Sequence, residues 1–109
     1  MARLVDAPPL EQLHPSARVR VIYGDTDRMG VVYHATYLRF LEHARVEFMR
    51  ELGLRYVEME AAGFGLPVVD LAVTYRAPAL YDDIVTVYVG MEKLSYVRLN
   101  FVYRLTVEP

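Results

Sequence analysis

The sequence predicts an α+β fold, with one long helix laid against an antiparallel sheet in a single domain. Three observations carry this. An apolar stripe at three- and four-residue spacing runs through Tyr37, Leu41, Ala44, Phe48 and Leu52. A clean two-residue period joins Val97, Leu99, Phe101, Tyr103, Leu105 and Val107. The chain has 109 residues, room for one domain and no more.

Met1 to Pro15 contain three prolines and no sustained period, so residues 1–17 read as an irregular N-terminal arm. From Arg18 to Tyr23 the chain alternates, with Val19, Val21 and Tyr23 facing one way: a half-buried strand. Gly24 to Gly30 has the Gly, Asp and Thr chemistry of a tight loop. The striped helix follows. Arg39, Glu42, Arg45, Glu47 and Arg50 take mostly other faces, and Gly53 is placed to stop it. A shorter helical piece, Tyr56 to Ala62, ends at Gly63. Val69, Leu71, Val73 and Tyr75 then alternate with polar or small residues, which predicts a strand. Pro78 to Asp83 turn the chain, and Ile84 to Met91 is a nearly continuous β-branched run suited to cover on both faces. Lys93 to Ser95 read as the next turn, before the last strand. The expected order is β-α-β-β-β, all of it one domain spanning 1–109.

Composition narrows the function. Hydrophobic residues make up 54% and nine residues are Tyr, against an average apolar share of about 45–50% that includes Gly. A chain of this size buries only roughly 60–70% of its unfolded surface when it folds alone. The excess apolar surface therefore points to a homo-oligomer or a ligand cleft. A net charge of −2 gives no electrostatic reason to bind nucleic acid or an anionic membrane. The basic residues are Arg with the single exception of Lys93, and Arg suits specific ion pairs and phosphate contacts. The lack of cysteine excludes disulfides, a thiol nucleophile and thiolate metal sites, and it fits a reducing compartment. There is no basic segment followed by an apolar stretch at the N-terminus, and no apolar run approaches the ~20 residues of a membrane helix. The expectation is a soluble, cytoplasmic protein with no membrane insertion.

The chemistry concentrates in Tyr23-Gly-Asp-Thr-Asp-Arg-Met-Gly-Val-Val-Tyr-His34. Asp25 and Asp27 lie in a glycine-bounded loop ahead of the main helix, and His34 falls at about its first turn. The first amides of a helix lack intrahelical partners and carry partial positive charge, so they can hold a developing oxyanion. A carboxylate beside them can attack a carbonyl or activate a water that does. On residue type alone an aspartate here is more often a cap or turn residue, and that is the reading kept for Asp25. Asp25, Asp27 and His34 together would also suit a divalent metal, but nothing else in the chain supports one.

The segment Tyr23-x-Asp-Thr-Asp-x-x-Gly-Val-Val-Tyr-His-x-x-Tyr37, followed by Phe40-x-Glu-x-Ala-Arg45, resembles the 4-hydroxybenzoyl-CoA thioesterase family, most closely the YbgC-like branch associated with the Tol–Pal system. Tyr75-Arg-Ala-Pro-Ala-Leu-Tyr-Asp-Asp83 resembles the same family, and the similarity runs from about Arg18 to Val107. The resemblance implies a hotdog fold, an acyl-CoA substrate, and dimers or tetramers with active sites at subunit interfaces. It implies no cofactor beyond the CoA of the substrate, no metal, and association with a Tol–Pal-like system. It places the catalytic aspartate at Asp27, as nucleophile or general base, with His34 beside it and the nearby helix amide polarising the thioester carbonyl. Tyr33 is the candidate for the acyl pocket and Lys93 for the CoA phosphates. Members usually continue into another strand, whereas this sequence stops at Pro109.

Rival readings on the same fold are a hydratase and a non-catalytic acyl-CoA-binding or regulatory protein. Hydratases carry Asp-x-Asn-x-x-His or His-Phe-Pro-Gly segments. Here the aspartate and histidine are seven residues apart and the second segment is missing. A regulatory protein would usually bring a further domain. Glu42 enters because some hotdog branches place the catalytic carboxylate on the helix, but the loop motif favours Asp27. His43 reads as a packing or surface residue, and His14, in the arm, carries no signal.

Overall fold

The computed structural model describes residues 7–95 and 98–108. Strand β1 (His14–Arg20) leads through a 3-10 turn at Tyr23–Asp25 to helix α1 (Thr36–Glu51) and a short α2 (Tyr56–Ala61). Strands β2 (Ile84–Ser95) and β3 (Arg98–Glu108) complete an antiparallel sheet in the order β1-β2-β3. Helix α1 packs across β1 and β2. The core between them is built from Val21, Phe40, Leu41, Ala44, Val85, Val87 and Val89, with Tyr37, Phe48 and Tyr103 packed at its edge. Thr86 on the other side of β2 is buried too, so the central strand is covered on both faces there, as its continuous apolar run suggests.

The helix obeys its period with one shift of face. Phe40 and Met49 are buried beside Leu41 and Ala44, while Leu52 lies beyond the helix and is exposed. Gly53 stops α1 as its position predicts. It sits at φ 83°, its N–H donates to the Arg50 carbonyl at 3.0 Å, and the Leu54 N–H reaches back to Met49 at 2.9 Å. That pair of hydrogen bonds is the Schellman arrangement, which requires a left-handed residue and therefore favours glycine.

Four expectations change. The N-terminal arm is shorter than residues 1–17, because Leu10–Gln12 form a 3-10 turn and β1 already begins at His14. An irregular step in the β1–β2 register between Pro15 and Ala17 breaks the two-residue period that a reading of side chains depends on. At the other end β1 stops at Arg20, and Tyr23 turns outward in the 3-10 turn, stacked on Tyr81 with ring centroids 4.0 Å apart. The predicted turn at Lys93 to Ser95 belongs to β2, which pairs with β3 as far as Ser95 opposite Arg98. Finally, Val69 to Tyr75 forms no strand. Its alternating side chains are exposed, Val69 at 80%, and alternation alone makes no ladder without a neighbouring backbone to bond. The described order is thus β-α-β-β. Among the described residues no helix is long and apolar enough to cross a membrane.

Candidate active site

The loop between β1 and α1 is fastened at several points. The Val21 N–H donates to the Asp83 carbonyl at 2.8 Å, and the Asp82 N–H returns to Val21 at 3.0 Å, so the end of β1 is tied to the turn before β2. The Val32 N–H donates to Ala79 at 2.9 Å, and Val31 bridges Leu80. Gly30, at φ 84°, closes the tip, and its N–H donates to the Asp27 carbonyl at 2.9 Å.

Asp25 and Asp27 have different surroundings. Asp25 is only 3% exposed. One carboxylate oxygen accepts the Ile22 N–H at 2.9 Å, and the other takes an Arg39 guanidinium N–H at 2.6 Å. Its carbonyl accepts the Tyr33 N–H at 2.9 Å. That is the turn-shaping role its residue type favours, with an added ion pair to α1. Asp27 is half-buried, and its Oδ1 accepts the Met29 N–H at 2.8 Å in a local Asx turn. Its Oδ2 receives no hydrogen bond among the described residues.

Asp27 and His34 meet on one cleft of about 300 Å³, lined also by Val32, Tyr37, Tyr75 and Arg76. His34 stands in the turn two residues before Thr36, next to the N-cap Ala35. Its ring lies 4.4 Å from that of Tyr33 and edge-on to Tyr75 at 6.4 Å. The Tyr75 hydroxyl donates to the His34 carbonyl at 2.8 Å, which fixes the peptide between His34 and Ala35. Among the described residues no group accepts the backbone N–H of His34 or of Ala35. The two amides precede the positive end of α1, and His34, which carries one of them, lines the cleft that holds the Asp27 carboxylate.

Of the binding candidates, Tyr33 is 46% exposed and packs on His34 without lining the cleft. Tyr37 does line it. Its hydroxyl accepts the Ala79 N–H at 3.1 Å while its ring packs on the core, so a helix-stripe residue serves both. Lys93 lies on β2 opposite Leu99, and its side chain falls outside the described part of the structure. Tyr75 and Arg76 were missed as site residues. Their signal was their place at the head of the Tyr75-to-Asp83 block, immediately before Ala77-Pro78. Glu42 lies elsewhere, in a second cavity of about 230 Å³ with Arg45, Met49 and Tyr56. Near it, Arg45 donates to the Tyr103 hydroxyl at 3.2 Å. Burial raises the pKa of that phenol, and the guanidinium partly offsets the rise. Among the described residues no three His, Asp or Glu side chains converge as a metal site would need.

A sequence profile of the thioesterase-like superfamily matches residues 21–109. The putative acyl-CoA thioesterase YneP of Bacillus subtilis is 34% identical over 94 residues, covering 85% of this chain and 68% of that protein. The acyl-CoA thioesterase YbgC of Haemophilus influenzae is 39% identical over 88 residues, covering 80% of this chain and 65% of that protein. The DHNA-CoA thioesterase structure from Staphylococcus aureus superposes with a TM-score of 0.80 at 35% identity, covering 84% of this chain and 61% of that one. This chain spans about two thirds of the length of these relatives. The long helix on an antiparallel sheet is therefore the hotdog arrangement, and the chain belongs to the thioesterase-like superfamily.

Proposed function

We propose that this chain hydrolyses acyl-CoA thioesters to a free carboxylic acid and CoA, with Asp27 as the catalytic carboxylate. The observation that carries the reading is the open Oδ2 of Asp27, in the same cleft as His34, whose backbone N–H has no partner among the described residues just ahead of α1. A thioester carbonyl seated there would present its oxygen to the His34 or Ala35 N–H, where charge developing in the transition state is stabilised. Asp27 then either attacks the carbonyl carbon to give an anhydride that water cleaves, or takes a proton from a water that attacks. In both routes the C–S bond breaks, the thiolate leaves with the CoA, and water supplies the oxygen and proton of the products.

The acyl group would meet Tyr37 and Tyr75 within the cleft and Tyr33 at its rim. The imidazole of His34 bounds the reacting centre, and Lys93 is assigned to the CoA phosphates on the resemblance. The relatives named as acyl-CoA thioesterases support the substrate class. A cytoplasmic setting fits the lack of cysteine. Association with a Tol–Pal-like system rests on the YbgC likeness alone.

A panel of short-chain, long-chain and aromatic acyl-CoA substrates, followed by thiol release in EDTA, tests the reading. Turnover of at least one class, undiminished by the chelator, is expected. No thiol from any substrate would contradict hydrolysis. Release abolished by EDTA and restored by a divalent ion would contradict the metal-free mechanism.

The exposed alternating residues Val69, Leu71, Val73 and Tyr75 add to the case for a homo-oligomer, a dimer or a tetramer. Light scattering at micromolar concentration should give a multiple of the chain mass, and a monomer would contradict this.

A further inference from the structure

The ion pair between Asp25 and Arg39 takes no part in the reaction just proposed, yet it joins the loop that carries Asp27 and His34 to helix α1. Asp25 is gripped from three directions. Ile22, ahead of the 3-10 turn, donates to its Oδ2, Arg39 in the first turns of α1 donates to its Oδ1, and Tyr33 donates to its carbonyl. Two residues on from Asp25 stands Asp27, and next to Tyr33 stands His34. The pair therefore ties the carboxylate end of the cleft to its amide end.

We propose that Arg39 is a positioning residue, acting through Asp25 to hold Asp27 at a set distance from the amides before α1. This rests on the thioesterase reading above. A carboxylate that is 3% exposed is costly unless it is paired, and Ile22 satisfies only one of its oxygens. Arg39 supplies the other partner from a side chain that is itself 59% exposed, so it reaches inward from the surface. Its guanidinium lies 5.1 Å from the Phe40 ring centre, which limits its swing. Without the guanidinium, Asp25 is favoured where water can reach it, and moving Asp25 outward carries Asp27 and the Tyr33 amide with it. Arg39 does not line the cleft, so its effect falls on geometry and not on substrate contact.

The test uses the full chain with Arg39→Met, Arg39→Lys, Asp25→Asn and the Asp25→Asn/Arg39→Met pair, measuring kcat, KM and backbone amide exchange. Arg39→Met should lower kcat about 10- to 100-fold, the scale of a misplacement near 1 Å, with KM changed less than about twofold. Arg39→Lys keeps a cation within reach of Asp25 and should recover most of the loss. Exchange at Tyr33 and Ile22 should quicken in Arg39→Met, a change that substrate contact alone would not produce. In the Asp25→Asn background, Arg39→Met should add less than it does alone, because the ion pair that anchors the guanidinium is already gone. Should the methionine variant not fold, Arg39→Gln keeps an uncharged NH2 donor and should show a smaller drop in kcat at the same KM. An undiminished kcat in a folded Arg39 variant overturns the proposal. So does a rise in KM alone that persists beside Asp25→Asn, which would make Arg39 a substrate contact. A parent chain without turnover on any thioester overturns the functional reading itself, and any catalytic role of the pair with it.

Discussion

Phe40→Ala should lower the folding stability by about 3–5 kcal/mol, enough to unfold a large share of a small domain at physiological temperature. Phe40 is fully buried between α1 and the sheet, among Val21, Val85, Val87 and Val89. Removing its ring loses the transfer energy of the apolar atoms and leaves a cavity that a strand-and-helix core refills poorly. Urea unfolding followed by circular dichroism would measure the shift in midpoint at unchanged slope. A loss below about 1 kcal/mol, the common size for an ordinary substitution, would mean that the helix is not seated on the sheet as described. The result also bears on the Phe40-x-Glu-x-Ala-Arg45 block. Two of its residues, Phe40 and Ala44, are core, and Glu42 and Arg45 face the second cavity instead of the Asp27 cleft. This part of the motif holds the scaffold on which the loop is mounted.

How legible the fold was depends on how local each cause is. The helix shows in the sequence because its period is intrinsic, and Gly53 marks its end because only a left-handed residue closes that hydrogen-bond pattern. The last strand shows for the same reason, since Phe101, Tyr103 and Leu105 of its alternating set pack on the core, while Val97 lies outside the described residues. The start of β1 does not, because a break in register at Pro15 and Ala17 masks its alternation. Val69 to Tyr75 misleads in the opposite way. Its pattern is strand-like, yet pairing depends on a partner that no local pattern reveals.

The same division runs through the site. The glycine-bounded loop and the helix after it made Asp27 and His34 candidates, but only the family resemblance placed the catalytic carboxylate at Asp27. Neither names the contacts joining distant segments. Arg39 meets Asp25 across 14 residues, and Tyr75 meets the His34 carbonyl across 41. Tyr37 shows a further limit, because a period assigns a side chain to the core without saying that the core ends at a cleft.

Asp27→Asn keeps the size and turn-forming ability of the residue and removes the charge, so it separates catalysis from folding better than any other change in the loop. The amide oxygen can still accept the Met29 N–H, which preserves the Asx turn. It can neither attack a thioester nor take a proton from water. Turnover should therefore fall on the order of 10²- to 10⁴-fold, the usual contribution of a positioned acid or base. Affinity for a non-hydrolysable thioether analogue of the best substrate should stay within about threefold, because the group that is lost acts in the transition state and not in binding. The decisive measurement is kcat and analogue affinity for Asp27→Asn beside the unaltered chain. Lost turnover with retained binding is the predicted result, and near-normal turnover in the variant would contradict the assignment of Asp27 as the catalytic carboxylate.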